Sequence, residues 1–82
     1  MAPHVTLQAM PVMTGSDDQE GCLVLSDGQL VAVLVRLADA MHGKERGGWF
    51  LEAGFGPCQS PVPPVFGNLD EAQVWVRQQL AG

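Results

Sequence analysis

Basic residues are scarce in this chain, and the scarcity sets the first limits on what it binds. Only Arg36, Lys44, Arg46 and Arg77 are cationic, against nine acids, for a formal net charge of −5. Polyphosphate backbones and anionic lipid surfaces are held by clustered Lys and Arg, so neither nucleic acid nor a membrane surface is an expected partner. Charge of both signs is low as well, at 16% of 82 residues, where an average globular domain carries roughly 25%. Long apolar runs are missing. The longest, residues 30–35, falls far short of the roughly 20 residues a spanning helix needs.

Cysteine is sparse too. Cys22 and Cys58 stand far apart, and the opening Met1-Ala2-Pro3-His4-Val5 has neither the basic region nor the apolar stretch of a secretory leader. The expectation is a cytoplasmic chain with reduced thiols. Cys22 reads as a small buried strand residue and Cys58 as the more accessible thiol, in a loop.

Motifs that carry chemistry are equally thin. Zinc sites gather about four ligands, usually with close pairs, and His4, Cys22, His42 and Cys58 contain no such pair. Asp17, Asp18 and Glu20 lack the alternating acids and distal Glu of a calcium loop. Gly54-x-Gly56 runs into Pro57 rather than a helix, so it is no phosphate cradle. A Cys–His nucleophile needs a histidine beside the thiol and a third group to orient it, which nothing in the spacing indicates. Pro61-Val62-Pro63-Pro64 fits P-x-x-P but has no flanking Arg or Lys, and reads as a stiff spacer. No metal, cofactor or catalytic constellation is implied.

What is present is a scaffold. Residues 4–10 alternate polar and apolar, as a half-buried strand does. Residues 14–21 form a polar, acidic loop. Asp27-Gly28 then separates two β-rich runs, residues 21–26 and 29–37, a strong hairpin signal because a type I′ turn needs positive φ at both central positions. Continued in strict register, this hairpin pairs Ser26 with Gln29, Leu25 with Leu30, Val24 with Val31 and Cys22 with Val33. One face then holds Cys22, Val24, Val31, Val33, Val35 and Leu37; the other holds Leu23, Leu25, Leu30, Ala32 and Leu34. Both faces are apolar.

A charged connection over residues 38–48 leads to a third run, residues 49–55, with Trp49, Leu51, Ala53 and Phe55 expected on the core side. Four prolines between 57 and 64 favour extended, non-helical backbone. Asn68 with Glu71 forms a variant capping box, and Leu69, Ala72, Trp75, Val76 and Leu80 make one helical stripe, leaving Val74 exposed. Asp70 and Glu71 at the start and Arg77 towards the end suit the helix dipole. The expected fold is a single α+β domain over residues 1–82. In it a three- to four-stranded antiparallel sheet, the hairpin plus a third strand with residues 4–10 as an optional fourth, is packed by one C-terminal helix.

Function is read from surfaces, and the favoured expectation is a non-catalytic interaction module that works as a homodimer or higher oligomer. A helix of about 13 residues is roughly 20 Å long and covers one sheet face, leaving the other apolar face in need of a partner. The alternative is a small-molecule binder with a pocket between helix and sheet, lined by Trp49, Phe55 and Trp75. A small enzyme ranks third. His42, Lys44 and Arg46, joined by Arg36, make the one locally cationic segment, which reads first as a solubilising hairpin tip and second as a site for a carboxylate or phosphate on an acidic partner.

Overall fold

The computed structural model describes residues 4–14, 19–38 and 47–82. Five strands, β1 (Val5–Pro11), β2 (Glu20–Ser26), β3 (Gln29–Arg36), β4 (Trp49–Gly54) and β5 (Val65–Phe66), precede a single 13-residue helix, α1 (Leu69–Ala81). All pairings are antiparallel and the sheet order is the chain order, a five-stranded meander. The sheet therefore has one strand more than the upper expectation. Residues 4–10 do form a strand, and the proline-rich crossing ends in the two-residue β5, where Val65 and Phe66 pair with Phe50 and Trp49.

The β2–β3 turn has φ of +51° at Asp27 and +84° at Gly28, both positive as a type I′ turn requires. Ser26 opposes Gln29 and Leu25 opposes Leu30, as the two-residue loop dictates. Beyond them the strict register fails. A bulge makes Val24 oppose Ala32, Leu23 oppose Val33 and Cys22 oppose Leu34, so Val31 is the extra residue. Val31 and Ala32 are both buried in the core, and the face shared by Cys22 and Val24 continues through Ala32 and Leu34. Val33 and Val35 therefore lie on the opposite face from the one expected.

A second shift, between β3 and β4, pairs Leu34 with Leu51 and Val33 with Ala53, leaving the exposed Glu52 as the extra residue. Trp49 and Leu51 pack with the core, whereas Ala53 pairs onto the other face. Phe55, expected inside, is 45% exposed. Its N–H still donates to the Val31 carbonyl at 2.9 Å, and the chain then enters a 3-10 turn at Gly56–Cys58. That turn carries Cys58 into the core at 0% exposure, so the expected accessible loop thiol is instead fully buried. Gly54 makes this possible, because a Cβ there would collide with the backbone carbonyl of Cys58.

Helix α1 begins as its residues direct. The Asn68 Oδ1 accepts the Glu71 N–H at 2.8 Å, and the Glu71 carboxylate accepts the Gly67 N–H at 2.7 Å. The return bond thus reaches one residue further back than in an ordinary capping box. Ala72 and Val76 are fully buried, Leu69, Trp75 and Leu80 pack partly against the core, and Val74 faces solvent at 52% exposure. Arg77 falls short of the final turn, which holds no basic residue. The core lies between α1 and one sheet face, around Val24, Ala32, Leu34, Ala72 and Val76. Each fully buried aliphatic chain there contributes about 1.5–3 kcal/mol.

Candidate interaction surface

Strand pairing sorts the sheet's side chains without ambiguity, because directly opposed residues share a face and neighbours along a strand alternate. The face under α1 holds Val5, Leu7, Cys22, Val24, Ala32, Leu34, Leu51, Trp49 and Phe66. The other holds Thr6, Gln8 and Met10 on β1, Leu23 and Leu25 on β2, and Leu30, Val33 and Val35 on β3. Phe50 and Ala53 of β4 and Val65 of β5 complete it. Only Val35 among these is fully buried; Leu23, Leu25, Val33 and Phe50 are half-buried, and Met10, Leu30 and Val65 are 40%, 41% and 39% exposed. Among the described residues no helix lies over this face, which is apolar from β2 to β5 and carries Thr6 and Gln8 on β1.

Its charge is equally distinctive. Among the described acids, Asp70 and Glu71 sit on α1, Asp27 at the hairpin tip, Glu52 at the β4 bulge and Glu20 at the start of β2, where it meets Arg36 at 3.1 Å. That exposed ion pair is worth about 0–1 kcal/mol. Glu52 at the bulge aside, the strand positions of the uncovered face hold no charged residue.

The aromatic residues expected to line a pocket are separated. Trp75 stacks on Phe66, ring centroids 5.6 Å apart and tilted by 54°. Trp49 lies across the ladder from Phe66 and is half-buried. Phe55 borders an open groove of about 550 Å³ with Leu30, Val31, Pro57 and Leu80, and neither tryptophan lines it. A second open groove lies between Leu51, Glu52, Ala53 and Gly54 on one side and Gln59, Ser60, Pro61 and Pro63 on the other. His42, Lys44 and Arg46 lie outside the described residues.

Among the described residues no three His, Cys, Asp or Glu side chains group as metal ligands, and no helix is long and apolar enough to cross a membrane. Cys22 and Cys58 are both free and buried. Burial pushes both thiols above their ordinary range, a backbone hydrogen bond from Gln8 opposing the shift at Cys22. A thiol held protonated is a poor nucleophile.

Sequence reasoning found that both faces of the hairpin are apolar. It missed which residues share each face, since the bulges decide that. No protein family, curated protein or solved structure matches this chain.

Proposed function

We propose that this protein is a non-catalytic interaction module that self-associates through the sheet face its helix does not cover. The observation that supports this reading is the position of Leu30, Met10 and Val65, each about 40% exposed, around half-buried Leu23, Leu25, Val33 and Phe50. Contiguous apolar surface of this kind marks contact sites in small soluble domains. A two-fold partner of the same sequence offers a matching patch at no cost in charge. Small domains gain stability they otherwise lack by assembling in this way.

Light scattering or sedimentation at micromolar concentration tests it. The expected result is a mass at least twice the 8.7 kDa of one chain. Leu30→Lys with Val65→Lys, both at exposed positions, should lower that mass, and should lower the melting temperature at concentrations where the wild type is assembled. A strictly monomeric wild type would overturn the reading.

A further inference from the structure

We propose that the outer edge of β1 pairs with the same edge of a second copy, antiparallel about a two-fold axis at Gln8. This contact goes beyond the face described above and stands on a separate observation.

The free hydrogen-bonding groups of β1 can be assigned one by one. At one end of the strand the Asp27 N–H donates to the His4 carbonyl at 3.0 Å, and at the other the Val12 N–H donates to the Gln19 carbonyl at 2.8 Å. In an antiparallel ladder the exchanging pairs recur every second residue. Between those ends they fall at Thr6–Leu25, Gln8–Leu23 and Met10–Gly21. The N–H groups of Val5, Leu7 and Ala9, and the carbonyls of Val5, Leu7, Ala9 and Pro11, therefore point away from β2. Pro11, which has no N–H to give, sits at a position where none is needed by β2. β1 ends the sheet, and Thr6 and residues 8–11 are exposed.

Natural edge strands are blunted by charge, proline, bulges or shortness. The opposite edge has such protection, because β5 is two residues long and the crossing that leads to it carries Pro57, Pro61, Pro63 and Pro64. β1 has seven residues in continuous register and no charged residue. Pro11, at its end, is its only blunting feature.

The lack of charge selects the occupant. The residue on a two-fold axis lies opposite its own copy, so a charged side chain there would meet its own sign, which destabilises a cross-strand pair. In a chain of net charge −5, an edge of Val, Thr, Leu, Gln, Ala and Met meets that demand. Antiparallel pairing around Gln8 sends the donors of Val5, Leu7 and Ala9 to the carbonyls of Pro11, Ala9 and Leu7 of the second copy. The edge is complementary to itself. The proline-protected far edge denies the head-to-tail alternative that would build an open fibre.

Amide hydrogen exchange on the wild-type protein, measured with its solution mass across a concentration series, tests the pairing. The Leu7 and Ala9 amides should become protected as the mass rises. Gln8→Lys, which sets like charges face to face at an exposed site, should weaken the association about tenfold or more. Ala9→Pro, which removes an outward donor that β2 does not use, should do the same. Protection that rises with concentration and is lost in Gln8→Lys supports the edge contact. If the wild type associates while the Leu7 and Ala9 amides exchange freely, the edge contact is overturned and the face contact stands. If association rises with Leu7 and Ala9 protection but Leu30→Lys with Val65→Lys leaves it intact, the face contact is overturned and the edge stands. A wild type that remains monomeric overturns both.

Discussion

Gly54 has the strictest requirement of any residue at the end of β4. Replacing it by Ala puts a methyl group against the Cys58 carbonyl, a backbone atom that cannot swing aside. Overpacking of this kind costs about 1–3 kcal/mol, so urea melts of Gly54→Ala should show a loss in that range. Cys58 itself should be unreactive towards alkylating reagents until the chain unfolds. The two buried thiols also fix a pH trend. Below the ordinary thiol value of 9.0 both stay protonated, folded or unfolded, and contribute no slope. Above it the unfolded chain releases their protons while the folded chain keeps them, so stability falls as pH rises. Melts at about pH 8 and about pH 10 should show this fall, and Cys22→Ala with Cys58→Ala should flatten it.

Elements were legible wherever a local signal determined them. The Asp27-Gly28 turn, the alternating β1 and the Asn68 cap with its stripe through Ala72 and Val76 all appear where the residues place them. Asn68→Ala should accordingly cost about 1 kcal/mol in a reversible melt. Register beyond the turn was not legible, and the reason is physical. Alternation reports which way a strand faces only if one face is polar. Residues 30–35 are apolar throughout, so inserting Val31 as a bulge leaves the hydrophobic pattern looking the same. Glu52 hides the second bulge in a similar way, since an exposed carboxylate fits either a regular outward position or an extra residue. The burial of Cys58 was hidden because it depends on a turn that closes against Gly54, a contact no single segment encodes. β5 was masked by the prolines before it. Of the candidate site, the surplus apolar face was legible in the hairpin, while its membership had to wait for the bulges.

At the scale of the molecule, one helix against a five-stranded sheet leaves an imbalance, and the two contacts proposed above resolve it at different places. One surface is a face and the other an edge, so Leu30→Lys with Val65→Lys and Ala9→Pro should act independently on the assembled mass, as separated sites do. The strand order has a further consequence, for the order of events when the chain folds. Every strand pairs with its neighbour in sequence, so each pairing closes a shorter loop than a crossover topology would, and low contact order favours rapid folding. The tightest closure is the two-residue Asp27-Gly28 turn. Substitutions in the β2–β3 hairpin, such as Val24→Ala, should slow refolding, whereas Leu7→Ala on β1 should mainly speed unfolding. Stopped-flow chevrons of the two variants, at a concentration where the chain is monomeric, would distinguish them. The strand that arrives last is then the one whose outer hydrogen bonds remain open when the chain is complete.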